Sequence, residues 1–336
     1  MMESSLSNAA VSAHPSPRVL FLGMESNFSY PPLRALLEHG IEVAAVVMPA
    51  WPMPSHESRA ICLRERPQSR HTVLPLLNAA LHPSISRLAW EQQIPLWEVQ
   101  RLADPETLSV LARYQPDLIC VACFSKRIPR VLLELPRLGC LNVHPSLLPA
   151  YRGPVPLFWT FRGGCQQGGV TVHLMDEGMD TGAILMQAPI VVPDGISYAE
   201  LEARYASLGG ELLARSAWDL CQGRAVCLPQ DEARSSYQPF PAAEDFVVPI
   251  DQWSARHVYN FICGVIDWGG PITLQIGSRR FIIQEVISYS HREENEAFTS
   301  VPLSLDGELS IPCKTGRVVV RSSSQSMQTG GLPRPA

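Results

Sequence analysis

A doubly wound α/β domain with a mostly parallel sheet, followed by a small antiparallel β-barrel-like domain, is the fold class that this 336-residue sequence predicts. Three observations carry it. Near-continuous apolar runs, among them Arg18 to Gly23, Ile41 to Met48 and Leu118 to Ala122, alternate with segments of helical period as far as Leu220. That is the pattern of βαβ units whose strands are covered on both faces. The texture changes near Gln222, and the stretch from Pro229 to Pro241 reads as a linker. Beyond it, short β-rich runs separated by turn residues indicate an antiparallel sheet.

Taken in order, Arg18 to Gly23 is a strand, a polar loop runs through Phe28, a helix follows Tyr30, and Ile41 to Met48 is the second strand. Prolines and four arginines (Arg59, Arg64, Arg66 and Arg70) break the pattern from Pro49 to Arg70, which reads as a long surface loop. Such loops are uncommon unless they bind something. A helix over Ser84 to Gln92 and a strand over Ile94 to Trp97 follow. Asp104 and Pro105 supply an N-cap and first position for a helix to Arg113, because a carboxylate accepts from the free amides there and proline has none to lose. Asp117 to Ala122 is a strand, a short helix follows Pro129, and Asn142 and His144 fall in the next strand. Val155 to Arg162 is helical, and Gly168-Gly169 is expected to turn the chain into a strand from Val170 to Met175. The loop Asp176 to Gly182 leads to a strand over Ala183 to Val192 and a helix over Ser197 to Leu220. A helix over Ser254 to Cys263 then precedes strands at 272–276, 280–287, 308–312 and 318–321. The expected division is a tail at 1–17, an α/β domain at 18–222, a linker at 223–244, a β domain at 245–322 and a tail at 323–336.

A hydrophobic fraction of 46% with 18% charged residues is a globular composition. The net charge of -5 argues against a surface that is basic overall, although a local basic patch remains compatible with it. Nine scattered cysteines favour free thiols in a reducing cytoplasm, and the Cys120/Cys123 pair, lying in an apolar run with no second pair at zinc spacing, reads as buried strand cysteines. The first seventeen residues lack the basic and apolar regions of a signal peptide, and no apolar run approaches the ~18 residues that span a membrane.

Polar chemistry concentrates between Leu141 and Gly153. Asn142 and His144 are two residues apart in a strand, so both side chains project from one face. A carboxamide with two donors beside an imidazole suits a developing oxyanion; the same pair also fits local hydrogen bonding where a strand enters a turn. Asp180, at another strand end, would orient that imidazole and favour its protonated form. Ser146 is not in the Gly-x-Ser-x-Gly turn of a serine hydrolase. Gly23 is followed by Met-Glu-Ser rather than a Gly-x-Gly-x-x-Gly loop, which argues against hydride transfer. Asp176 and Asp180 lack the further regular ligands of a calcium loop, so no metal is expected, and His173 is most simply a strand residue.

The motifs Asn142-Val-His-Pro-Ser-Leu-Leu-Pro, Tyr151-Arg-Gly, Gly169-Val-Thr-Val and Met175-Asp-Glu-Gly-Met-Asp-Thr-Gly closely resemble those of the 10-formyltetrahydrofolate-dependent formyltransferases over roughly residues 18–222. The resemblance implies the Rossmann-like formyltransferase fold and a catalytic triad at Asn142, His144 and Asp180. It also implies that 10-formyltetrahydrofolate is the co-substrate. The folate would lie against Phe124, Ser125, Lys126, Arg127, Ile128 and Pro129, against Ser146, Leu147, Leu148 and Pro149, and against Asp176, Glu177, Gly178 and Met179. After Ile250, the stretch Ile250-Asp-Gln-Trp-Ser-Ala, Asn260 and Trp268-Gly-Gly is similar to the C-terminal barrel of methionyl-tRNA formyltransferases. The chain departs from that pattern at Ile262-Cys-Gly, at Phe124-Ser125, and in a Pro49 to Arg70 loop without lysine. From Asp245 onward it has nine acidic and eight basic residues, where a grip on a phosphate backbone favours a positive excess. The expected acceptor is the amino group of methionyl-tRNA. The alternatives are a sugar-nucleotide or other small amine, hydrolysis of the formyl folate, and a non-catalytic folate- or RNA-binding module.

Overall fold

In a computed structural model of the chain, residues 16–50, 59–67, 83–276, 279–291, 304–305 and 308–323 are described. Residues 1–15 and 324–336, which make up nearly all of the expected tails, and half of the Pro49 to Arg70 stretch lie outside them.

The α/β part runs β1 (Arg18–Gly23), α1 (Tyr30–Glu38), β2 (Glu42–Pro49), β3 (Ile61–Leu63), α2 (Ile85–Glu91), β4 (Leu96–Val99), α3 (Pro105–Ala112), β5 (Leu118–Ala122), α4 (Arg130–Leu133), β6 (Cys140–His144), α5 (Pro156–Arg162), β7 (Gln167–Leu174), β8 (Ile184–Val191) and α6 (Tyr198–Cys221). Then follow β9 (Val247–Val248), α7 (Ala255–Val265), β10 (Thr273–Ile276), β11 (Arg279–Ser290), β12 (Ser304–Leu305), β13 (Glu308–Pro312) and β14 (Arg317–Ser323). The larger sheet has eight strands in the order β3-β4-β2-β1-β5-β6-β7-β8, and the smaller has six in the order β12-β13-β14-β11-β10-β9. The mixed α/β class read from the alternation is the class observed.

By contacts the chain divides into two compact units, Met1–Asn142 with Gly210–Cys227, and Val143–Gly209 with Leu228–Ala336. In the first, β1 pairs in parallel with both β2 and β5, and β5 pairs in parallel with β6. The strand order therefore reverses beside β1, and ligands of such sheets bind at the carboxyl ends of strands near that reversal. Val19, Leu20, Phe21, Leu22, Leu118, Ile119 and Cys120 are fully buried, as strands covered on both faces require. Ser29 joins two strand ends by donating from Oγ to Ala122 O at 2.7 Å while accepting from Met24 N at 3.1 Å. Asp104 caps α3 as expected, accepting from Glu106 N.

Three expectations need correction here. Ile61–Leu63, read as loop, is a short edge strand antiparallel to β4; three residues are too few to show a period. Cys123 is not a buried strand cysteine. Cys120 is enclosed in β5, but β5 ends at Ala122 and Cys123 is exposed at φ +55°. Gly168 and Gly169, expected as a turn, lie inside β7.

In the second unit, a Cβ at Gly168 would come within 1.9 Å of Tyr205 Oη, and one at Gly169 within 2.5 Å of Ala188 O. Those glycines serve close packing against α6 and β8 rather than reversal of the chain. β7 and β8 pair antiparallel. The six-stranded sheet is antiparallel except between β9 and β10, which run parallel. α7, capped by Ser254, buries Val258, Phe261, Ile262 and Val265.

Candidate active site

The strand β6 ends on His144, and Asn142 is its one half-buried residue, the other four being buried. Cys140 and Leu141 pair with β5 residues and Val143 is buried, so the strand is fixed and Asn142 shares the face of His144. His144 is 3% exposed. Its Nε2 lies 2.9 Å from Tyr151 O, and because a carbonyl can only accept, Nε2 carries the hydrogen. The other nitrogen, Nδ1, stands 3.6 Å from Asp180 Oδ2.

Asp180 is held from several sides. Gly153 N donates to Oδ2 at 2.9 Å, and His173 Nε2 stands 3.7 Å from Oδ1. Burial would raise the Asp180 carboxyl, but the neighbouring His144, His173 and the Gly153 amide outweigh it and hold the pKa at about 2. Asp180 is therefore ionised throughout the physiological range. Burial lowers His144 below its ordinary value, against the pull of Asp180 and the Tyr151 carbonyl. Burial therefore favours the uncharged form of this imidazole, and Asp180 favours the charged one.

The two imidazoles flank the carboxylate in the same way. His173 Nδ1 lies 2.9 Å from Leu174 O, another group that only accepts. Both outer ring nitrogens are thus committed as donors to main-chain carbonyls, and both inner nitrogens face Asp180. A proton entering His144 must go to Nδ1, where the carboxylate meets it. The arrangement is suited to taking up and returning one proton.

The remaining residues singled out in the sequence take varied places. Ser146 is buried and donates from Oγ to Ala150 O at 2.7 Å, which leaves it unavailable as a nucleophile. Leu147 packs over Gly169, and Leu148 N donates to Thr171 Oγ1. Asp176, Glu177, Gly178 and Met179 form an exposed turn in which Asp176 Oδ1 accepts from Gly178 N and Thr181 Oγ1. Asp176 thus caps a turn, while Asp180 alone of that loop reaches His144. In the first unit, Phe124 to Pro129 follow β5, with Ile128 buried, Ser125 and Arg127 exposed, and Lys126 Nζ donating to Gln100 O at 3.0 Å. Among the described residues, no group of three His, Cys, Asp or Glu converges as a metal site, and no described helix is long and apolar enough to cross a membrane.

Sequence reasoning missed His173, the Tyr151 carbonyl and the Gly153 amide. The signal for His173 was alternation: in β7, Val170 and Val172 face one way while Thr171 and His173, both polar and both buried, face the other. Gly153 is required by geometry. It has φ +116°, and a Cβ there would approach Gln238 O within 2.1 Å, so no other residue places this amide on Asp180 without strain.

Residues 20–216 match the formyl transferase family. Over 320 residues the chain is 31% identical to methionyl-tRNA formyltransferase of Pelobacter propionicus, which covers 95% of this chain and 91% of that one. The corresponding enzyme of Syntrophus aciditrophicus is 36% identical over 261 residues, 77% of this chain and 76% of its own. Among solved structures, the N-formyltransferase of Helicobacter canadensis in complex with folinic acid and dTDP-3-aminofucose matches 90% of this chain and 98% of that one with a TM-score of 0.58. At 16% identity that is a likeness of fold.

Proposed function

The chain belongs to the formyl transferase family, and from that premise we propose that it moves a formyl group from 10-formyltetrahydrofolate to the amino group of methionyl-tRNA, with Asn142, His144 and Asp180 as catalytic residues. The observation that carries the catalytic assignment is the buried His144, whose Nδ1 stands 3.6 Å from Asp180 Oδ2 while its Nε2 is held by the Tyr151 carbonyl.

On this reading the acceptor nitrogen attacks the formyl carbon, a carbon–nitrogen bond forms, and the formyl oxygen becomes an oxyanion. The Asn142 amide donates to that oxygen. The attacking nitrogen gives up a proton, which His144 Nδ1 receives with Asp180 stabilising the resulting imidazolium. Return of a proton to the folate N10 lets the bond between N10 and the formyl carbon break, releasing tetrahydrofolate and the formylated amine. Atoms balance without a metal or a covalent enzyme intermediate. The folate is assigned to the segments 124–129, 146–149 and 176–179, each of which follows the carboxyl end of a strand, β5, β6 or β7.

The relatives' names support methionyl-tRNA as acceptor. A sugar-nucleotide amine is the second reading, favoured by the nine acidic against eight basic residues from Asp245 onward. Incubation of the full chain with 10-formyltetrahydrofolate separates them. Formylation of charged initiator tRNA, weakening steeply as salt rises, is the expected outcome. Transfer to an amino sugar nucleotide with none to tRNA at any salt overturns the first reading in favour of the second.

A further inference from the structure

The expected linker is folded against the residues just described. Arg152 N donates to Ser236 O, Gln238 N donates to Arg152 O, and Tyr151 N donates to Ser236 Oγ, so the segment runs beside Tyr151 and Arg152 as a paired strap. From this strap the Gln230 side chain reaches the loop that carries Asp180. Its Nε2 donates to Asp180 O and to Gly182 O, each at 2.7 Å. Its Oε1 accepts from Arg152 Nε at 3.1 Å and from Nη2 at 2.8 Å.

All four hydrogen-bonding positions of the Gln230 amide are used, and they fix its orientation. A flipped amide would set NH2 against a guanidinium and oxygen against two carbonyls. Arg152 is itself buried and pinned by Glu232, which accepts from Nη1 and Nη2 at 2.9 and 2.6 Å. The network closes on itself, because the residue after Arg152 is Gly153, whose amide holds the Asp180 carboxylate. Asp180 needs such support: at φ +56° it occupies the left-handed region that a non-glycine residue adopts only when its surroundings impose it.

We infer that Gln230, oriented by Arg152, is a positioning residue for formyl transfer, fixing the main chain of Asp180 so that its carboxylate meets His144. The inference rests on the catalytic reading of Asp180. It assigns a role in turnover to the segment between the two sheets, through an amide that touches no reacting atom.

A double-mutant cycle with formyl transfer from 10-formyltetrahydrofolate as the readout tests it. Gln230→Met, which keeps length and volume but neither donates nor matches the guanidinium, is expected to lower kcat ~30-fold with KM for the folate within ~3-fold. In an Asp180→Asn background the same change is expected to cost less than ~3-fold, because the group it positions is already lost. Gln230→Glu, which sets a carboxylate against two carbonyls, is expected to be worse than Gln230→Met. Glu232→Gln, at an exposed site, is a folded control that loosens Arg152 and is expected to lower kcat only a few-fold. A full-strength Gln230→Met enzyme, or an equal loss in both backgrounds, overturns the inference. Undiminished turnover of Asp180→Asn alone overturns the catalytic reading beneath it, a distinguishable result.

Discussion

Replacing Asp180 by Asn is expected to lower kcat by ~10²- to 10⁴-fold while leaving KM for the folate within a few-fold. The change is nearly isosteric, so packing is kept and what is lost is charge. In the native chain the carboxylate is ionised, with a pKa of about 2, and it faces His144 Nδ1 at 3.6 Å. An amide there turns an NH2 toward the lone pair of the neutral ring and holds it neutral. The proton leaving the amine then has no stabilised resting place, because burial already disfavours a charged His144. A hundredfold loss corresponds to ~2.7 kcal/mol of transition-state stabilisation. Initial rates at saturating folate, with a denaturation curve to confirm folding, measure it. Retention of more than a tenth of the native rate would remove Asp180 from the chemistry.

Phe158→Ala is expected to cost ~3–5 kcal/mol of stability. Phe158 has no exposed surface, and its ring lies 5.3 Å from Phe246, 5.9 Å from Phe261 and 5.1 Å from Trp268. These four rings join α5, which follows the Tyr151-Arg152-Gly153 motif, to α7 and the segments flanking it. Truncation leaves a cavity among rigid rings that cannot collapse into it. Phe158→Leu, which fills most of the space, is expected to cost less than ~2 kcal/mol. Urea denaturation of the three proteins decides the matter. Equal midpoints for the native chain and the alanine variant would show that this cluster does not support the second unit.

The parts legible in the sequence share one property: a local physical rule dictates them. β1, β2 and β5 are short apolar runs that read as buried strands, and Asp104-Pro105 is a cap whose chemistry is complete within four residues. His144 and Asp180 were recognisable because a strand end and a motif concentrate polar groups there. What was hidden depends on contacts between segments distant in sequence. Gly168 and Gly169 look like a turn until Tyr205 and Ala188 are placed beside them. Cys123 follows the apolar run but lies one residue past the end of β5. His173 needed the fold to bring Asp180 alongside, and the polar, proline-bearing stretch from Pro229 to Pro241 has a linker's composition, although its main chain pairs with Arg152 and its Gln230 binds the Asp180 loop.

On the proposed function, each formyl group leaving the folate reaches an amine rather than water. Simultaneous measurement of tetrahydrofolate, formylated methionyl-tRNA and free formate, with and without charged tRNA, tests this most directly. The expected result is tetrahydrofolate and formylated tRNA formed in equal amounts, with neither tetrahydrofolate nor formate above background when no amine is present. Release of tetrahydrofolate and formate at the same rate with or without acceptor, by the native chain and not by Asp180→Asn, would show that water is the acceptor at this site and would contradict the transferase account.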